Sequence, residues 1–165
     1  MNTVTTEILR RCEGRYPDEA DARALLDDAA QMRLRLEAAA RIQAVSGQVI
    51  KDVVRELQKR YPDLDKHRLH AWGKTYRDSE LTAMAVVQSL ILGDVRHLDE
   101  SLLFWFRSIL QGLNFTPKCI RDTYTLLRDG YRAALPADTY RLAEPFLERT
   151  IEVLSEVPEP VTPQE

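Results

Sequence analysis

The sequence predicts a single all-α domain, and three observations carry that prediction. Apolar residues recur at helical spacing along almost the whole chain, and no segment alternates apolar and polar residues as a half-buried strand does. Helix-starting and helix-ending pairs built on proline and glycine stand between the periodic runs. A length of 165 residues is ordinary for one domain with a full hydrophobic core.

The elements follow in order. The first thirty to forty residues read as an amphipathic helical hairpin placed before the main body. In it Leu25, Ala29, Met32 and Leu36 share one helical face. Ile42, Val45, Val49, Val53 and Leu57 form the stripe of the next stretch. Gly47 sits inside that stretch at a cost of roughly 1 kcal/mol relative to alanine, which suggests a close helix approach. Tyr61-Pro62 ends it, because a residue before proline is pushed out of the α region, and a loop over 63–66 follows.

A long helix from about His67 to Leu92 is then expected. It carries Leu81, Met84, Val87 and Ile91, is interrupted near Trp72-Gly73 and ends at Gly93-Asp94. The next stripe, Leu98, Leu102, Trp105, Ile109 and Leu113, is broadened by Leu103, Phe104 and Phe106. Two faces of this helix therefore need cover, either centrally or at an interface. Thr116-Pro117 opens the following helix, with a cap residue before proline and a stripe of Ile120, Tyr124, Leu127 and Tyr131, and Leu135-Pro136 closes it. The last helix, from about Asp138 to Ser155, presents Tyr140, Ala143, Leu147, Ile151 and Leu154, with Pro145 as an expected kink. Residues 156–165 hold three prolines and read as a flexible tail, leaving 1–155 as the domain. About seven unequal helices joined by short loops suit a globin-like arrangement better than a regular four-helix bundle.

Composition narrows the function. A net charge of −3 gives no drive toward nucleic acid, and the longest apolar run, Leu102 to Phe106, is far too short to cross a bilayer. The two cysteines, Cys12 and Cys119, form neither a metal-ligand set nor a disulfide framework, which points to a reducing, cytoplasmic setting. No phosphate loop, nucleophile elbow or zinc-protease helix is present, so the chain is not expected to be an enzyme. His67 and His70 share a helical face but lack a third ligand, and His97 stands with Asp94 and Asp99 in a polar turn, so no metal site is expected.

Thr75-Tyr76-Arg77-Asp78 is the most informative string. Adjacent charges on a helix usually mark solvated surface. A guanidinium nevertheless clamps a propionate bidentately, and a carboxylate accepts hydrogen bonds from several pyrrole N–H groups at once. The order of its neighbours adds weight. Arg77-Asp78-Ser79-Glu80-Leu81 is followed by Leu92-Gly93-Asp94, Leu98-Asp99-Glu100, Arg107, and Gly112-Leu113 with Thr116-Pro117. Upstream, Leu36-Glu37-Ala38-Ala39 runs on to Lys59-Arg60-Tyr61-Pro62.

This succession, over roughly residues 20 to 155, resembles the phycobiliprotein family of allophycocyanin and phycocyanin subunits. In that family a Cys-x-Arg-Asp motif precedes a Gly-Asp turn, an acidic helix start, an internal arginine and a Leu-Gly-Thr-Pro-like turn. The resemblance implies a globin-like fold with an N-terminal helical hairpin used for dimerisation. Two departures bear on function. Thr75 stands where the family has its thioether-forming cysteine, and a hydroxyl is no substitute for a thiolate, so covalent attachment there is not expected. Met84 and Ala85 through Gln88 replace the family's Arg-Tyr-Val-Thr-Tyr-like segment, which speaks against standard disc assembly.

The resemblance thus implies a non-antenna relative of the kind called bilin-biosynthesis-associated globins. Such a protein would bind a linear tetrapyrrole or heme-derived molecule non-covalently in bilin metabolism or regulation. Arg77 would pair with a propionate and Asp78 would accept the pyrrole N–H bonds, while Trp72, Tyr76 and Tyr124 would supply ring contacts beside Thr75. A ligand-free interaction module is the alternative, recognisable if Trp72, Tyr76 or Phe106 fills the pocket. Heme sensing ranks lower, because Leu98 to Leu113 offers no axial histidine. A homodimer through residues of about 20 to 45 is expected. The second Cys-x-Arg-Asp string, Cys119-Ile120-Arg121-Asp122, lies on a different helix and reads as coincidence.

Overall fold

A computed structural model describes residues 3–67, 70–112 and 116–156. It shows helices and no strand among the described residues. They are α1 (Thr3–Arg11), α2 (Glu19–Arg60), α3 (Leu64–His67), α4 (Ala71–Leu92), α5 (Val95–Leu98), a π turn (Asp99–Leu103), α6 (Phe104–Gly112), α7 (Pro117–Ala134) and α8 (Ala137–Ser155). The tail over 157–165 and Leu113 lie outside the described residues.

The N-terminal stripe and the stripe from Ile42 to Leu57 belong to one unbroken helix. α2 spans 42 residues, so no turn separates the extension from the body. The bend of the hairpin lies earlier, between α1 and α2, and buries Ile8. A reciprocal capping box starts α2. The Asp18 carboxylate accepts from the Asp21 N–H at 2.9 Å, and Asp21 accepts from the Asp18 N–H at 3.2 Å. Asp21 is buried and also takes Arg15 at 2.6 Å and Arg11 at 3.5 Å, which closes α1 and its turn over the start of α2. The backbone N–H of Asp18, then the Arg15 guanidinium, hold the Asp21 carboxyl below the usual carboxylate range.

Further along α2, Arg35 pairs with Asp28 at 2.9 Å, both nearly buried. Its guanidinium lies across Gly93, where φ is +68° and a Cβ would collide with it. That left-handed glycine ends α4, as expected from Gly93-Asp94.

The core gathers Ile42, Ile50, Val53 and Leu57 of α2 against Val86 and Leu90 of α4, Leu127 and Tyr131 of α7, and Leu147 and Leu154 of α8. α2 packs chiefly on α4 and α7, and α7 on α8. Polar ties between elements include Ser46 Oγ and the Tyr131 hydroxyl, 2.7 Å apart, and Arg149, which grips Asp99 with two nitrogens at 2.9 Å.

Four local expectations are corrected. A Cβ on Gly47 would meet nothing within 4 Å, so Gly47 marks no close approach. The close approach is at Gly130, where a Cβ would lie 2.7 Å from Val49 Cγ1 and where α7 consequently comes down on α2. Leu64–His67 is a helical turn rather than a loop, built on the Pro62-Asp63 turn with Leu64 N–H on the Tyr61 carbonyl at 3.1 Å. The interruption before α4 falls at His70, in the left-handed region at φ 59°, and not at Trp72-Gly73. Asp65 Oδ1 accepts the Ala71 N–H at 2.8 Å and so starts α4 from a distance, with Trp72 and Gly73 inside its first turn.

The fourth correction concerns the broad stripe. Across the π turn the Phe104 N–H bonds the Asp99 carbonyl, five residues back, so one extra residue enters the helix. The inward face therefore shifts to Leu98, Leu102, Leu103, Phe106 and Leu110, while Phe104, Trp105 and Ile109 are exposed.

Candidate functional site

The first turns of α4 and α7 face each other across a small cavity, closed at one end by Leu57 of α2 and Leu64 of α3 and flanked by Leu110 of α6. α4 contributes Trp72, Thr75, Asp78 and Ser79, and α7 contributes Cys119, Ile120, Thr123 and Tyr124. Helical periodicity explains the selection. Trp72, Thr75 and Ser79 fall on one face of α4 with Asp78 at its margin, whereas Arg77 points roughly the opposite way. The structure thus brings together Trp72, Thr75, Asp78 and Tyr124 of the expected site and leaves Tyr76 and Arg77 off the cavity wall. Tyr76 packs half-buried against the core instead.

Arg77 stays in solvent. Its side chain is 72% exposed, and Nε and Nη2 both donate to Asp78 Oδ1, at 3.1 and 2.9 Å. Asp78, itself mostly sheltered, is thus paired with a solvent-exposed cation. The Thr75 hydroxyl donates to the Ala71 carbonyl at 2.9 Å, committed to its own helix. Thr82 and Thr123 make the same i−4 bond, to the carbonyls of Asp78 and Cys119 at 2.8 Å each. The Tyr124 ring is buried. Burial pushes its hydroxyl up, partly offset by a hydrogen bond with Thr82 and reinforced by the charge of Asp78, so it remains a neutral phenol.

One hydroxyl in this wall has no such partner. Ser79 Oγ is fully buried, lines the cavity and makes no hydrogen bond. A buried unsatisfied hydroxyl costs about 1–3 kcal/mol, so its retention calls for a reason. Of the lining residues, the sequence did not single out Ser79 or Thr123, and Cys119 stood in a Cys-x-Arg-Asp string read as coincidence. The helical spacing Trp72, Thr75, Ser79 was the available signal.

Beside the cavity lies a polar cluster at the join of α2 and α7. The Tyr61 hydroxyl donates to Asp122 Oδ2 at 2.7 Å, and Lys118 Nζ reaches the same oxygen at 2.7 Å. The Lys118 ammonium holds the Asp122 carboxyl below its ordinary range, while burial, then Asp122, pushes the Tyr61 phenol up. Asp122 is therefore engaged through Oδ2 and does not line the cavity.

The cavity holds about 40 Å³. A site for a drug-sized ligand is about 300–1,000 Å³, so in this conformation the walls are in contact and Trp72 is one of the side chains that closes them. Phe106, the other candidate filler, sits in the core and does not line the cavity. A larger hollow of about 560 Å³, the groove between α2 and α7 over Val49 and Gly130, is rimmed by Asp52, Glu56 and Asp129 and contains none of the expected site residues. Among the described residues no cluster of His, Cys, Asp or Glu could hold a metal ion, and no helix is long and apolar enough to cross a membrane.

The cavity of this all-α domain sets a sheltered carboxylate, Asp78, beside two aromatic side chains, Trp72 and Tyr124. The family model for phycobilisome proteins matches residues 12–154, and the chain belongs to that family. No curated protein matches the sequence.

Proposed function

We propose that this chain is a non-antenna phycobilisome-family protein that binds a linear tetrapyrrole reversibly between α4 and α7, in bilin metabolism or its regulation. Phycobiliproteins typically carry bilin chromophores. The observation that carries the reading is the α4 wall. Asp78 is sheltered, Ser79 offers a buried hydroxyl with no partner, and Thr75 stands without a thiol between Trp72 and both of them.

In the bound state Asp78 accepts pyrrole N–H bonds, and Arg77 leaves it for a propionate at the rim. Little energy opposes that exchange, since an exposed ion pair is worth about 0–1 kcal/mol. Trp72 and Tyr124 stack on the rings. The cavity has to widen, and its least anchored wall is Leu64 on the single turn of α3 together with half-buried Trp72 just past the left-handed His70.

Titration with biliverdin, phycocyanobilin and heme tests this. The expected result is a red-shifted, sharpened bilin band that Asp78→Ala removes and that Trp72→Ala makes appear faster. No band change, or one indifferent to Asp78→Ala, would sink the proposal. The 40 Å³ volume favours a second reading, a ligand-free interaction module whose cavity is closed for good. Under that reading none of the three pigments changes its spectrum.

The family's use of N-terminal helices suggests the partner surface. Leu9, Leu26, Leu34 and Leu36 are exposed on α1 and the first half of α2. A homodimer through residues of about 20 to 45 buries part of that surface. Light scattering that returns a monomer across micromolar concentrations contradicts it.

A further inference from the structure

We propose that the exposed aromatic face of α6 is the docking surface for this chain's own C-terminal segment, residues 157–165. The proposal is independent of the tetrapyrrole reading. The extra residue of the π turn puts Phe104, Trp105 and Ile109 on one outward face of α6, where they are 46%, 44% and 47% exposed, with Ser108 and Gly112 beside them. Three large apolar side chains together in water form a patch that calls for cover. The Trp105 indole N–H already donates to the Ser101 carbonyl at 2.8 Å, so the ring offers its apolar surface to whatever covers it.

Where the described chain ends indicates the occupant. α8 stops at Ser155, and at Glu156 the backbone leaves the helix with φ −80° and ψ 51°. The Glu156 carboxylate accepts from Arg107 Nη1 of α6 at 3.1 Å, and the Arg107 guanidinium lies 6.0 Å from the centre of the Phe104 ring. The chain from Val157 onward therefore starts at the edge of the exposed face. Ser155, buried at the same point, carries a hydroxyl with no hydrogen-bond partner among the described residues, a polar group that the backbone of a segment folded back over α6 would satisfy.

The sequence of that segment suits an aromatic surface. Residues 157–165 read Val-Pro-Glu-Pro-Val-Thr-Pro-Gln-Glu, and proline, together with the residue before it, favours extended polyproline II backbone. At three residues per turn, Val157, Pro160 and Pro163 share one edge, Pro158, Val161 and Gln164 a second, and Glu156, Glu159, Thr162 and Glu165 the third. Two edges are thus largely apolar and the third is acidic, and Glu156, which holds Arg107, belongs to the acidic one. Proline-rich segments are commonly recognised by aromatic side chains in this way. Residues 157 to 163 span about 19 Å at about 3.1 Å per residue. Phe104 to Gly112 cover about 12 Å at about 1.5 Å per residue, so the segment is long enough. Two other pairings are disfavoured. The larger hollow between α2 and α7 is rimmed by Asp52, Glu56 and Asp129, which repel Glu159 and Glu165. A separate protein at micromolar concentration competes on α6 with a tethered segment whose effective concentration is on the order of millimolar. Docked, the segment takes α6 away from other partners.

The test puts a photoreactive benzoylphenylalanine in place of Val161 in the full chain, irradiates it and maps the cross-linked peptides. We expect an intramolecular link to the peptide holding Phe104–Gly112, with a yield that is independent of protein concentration and falls in Trp105→Ala. Trp105 reports on the unlinked chain once Trp72→Phe leaves it as the one tryptophan. Replacing Val157, Pro160 and Val161 together by serine should then shift its emission to the red and raise its quenching by iodide. The helical circular dichroism should stay unchanged, because the substituted residues lie beyond α8. A link that maps to another element overturns the proposal. So does a link recovered only as a covalent dimer, which puts the segment on a second copy. Absence of any link overturns it too, as does Trp105 emission that ignores the serine substitutions. Peptide mapping on the chain with both tryptophans decides the matter if the Trp72 variant misfolds.

Discussion

Two glycines on packed helices should respond to the same substitution with opposite sign. Gly47 and Gly130 both lie inside helices, α2 and α7, and each replacement by alanine gains about 1 kcal/mol of helix propensity. At Gly47 nothing stands within 4 Å of the new methyl, so Gly47→Ala keeps that gain whole. At Gly130 the new methyl lies 2.7 Å from Val49 Cγ1. Valine is stiff at χ1 on a helix and cannot turn the methyl aside, so α2 and α7 must part slightly. Overpacking of this kind costs about 1–3 kcal/mol, which leaves Gly130→Ala between roughly neutral and about 2 kcal/mol destabilising. The two variants therefore differ by about 1–3 kcal/mol. For a chain of this size each kcal/mol moves the melting temperature by about 2–4 °C. Thermal unfolding followed by circular dichroism should place Gly47→Ala above the unmodified protein and Gly130→Ala at or below it. The pair Gly130→Ala with Val49→Ala should be more stable than the two single effects add up to. If Gly130→Ala stabilises as much as Gly47→Ala, α7 does not sit on α2 as described.

Other predictions concern the polar ties. Arg149→Ala strips the partners from the Asp99 carboxylate and should cost less than the about 3–5 kcal/mol of a fully buried pair, because the Arg149 side chain is 31% exposed; urea denaturation reads the loss, and Arg149→Lys restores only part of it. Asp21 binds its proton more weakly folded than unfolded, so its contribution is complete above the ordinary carboxylate range and disappears as pH falls through its depressed folded value. Protection of the α1 amides, taken relative to their intrinsic exchange at each pH, should accordingly fall in acid, and Asp21→Asn should lower it in the same way at neutral pH. Burial, then Asp21, pushes the Cys12 thiol up, so iodoacetamide should label Cys12 slowly at neutral pH and faster in Asp21→Asn.

The sequence revealed elements wherever a local signal determined the backbone. Tyr61-Pro62, Gly93-Asp94, Thr116-Pro117 and Leu135-Pro136 stop or start helices for reasons confined to a few residues, and each boundary stands where it was read. Two things depended on distant residues and were not legible. Asp65 starts α4 from six residues upstream, which moves the break to His70. The π turn at Asp99–Leu103 is held by Arg149, fifty residues away, and its extra residue shifts the face so that Phe106 is buried while Trp105 and Ile109 are exposed. At the cavity, α4 was half legible. Asp78 drew attention by its chemistry, but Ser79 has none to advertise and becomes informative only once its hydroxyl is seen to lack a partner. Cys119 was visible as a residue. Its position opposite Thr75 depends on how α7 packs, and no pattern within either segment encodes that.

α2 carries two unrelated duties on one rod. Leu26 belongs to the exposed apolar surface near its start and Leu57 to the wall of the cavity near its end. At about 1.5 Å per residue these points lie about 46 Å apart along the same axis. A continuous helix resists bending but transmits rotation and sliding, so an event at the cavity reaches the far surface only as rigid displacement of the whole rod. The Arg35 guanidinium over Gly93 and the Val49 methyls against Gly130 are two of the close contacts such a displacement would disturb.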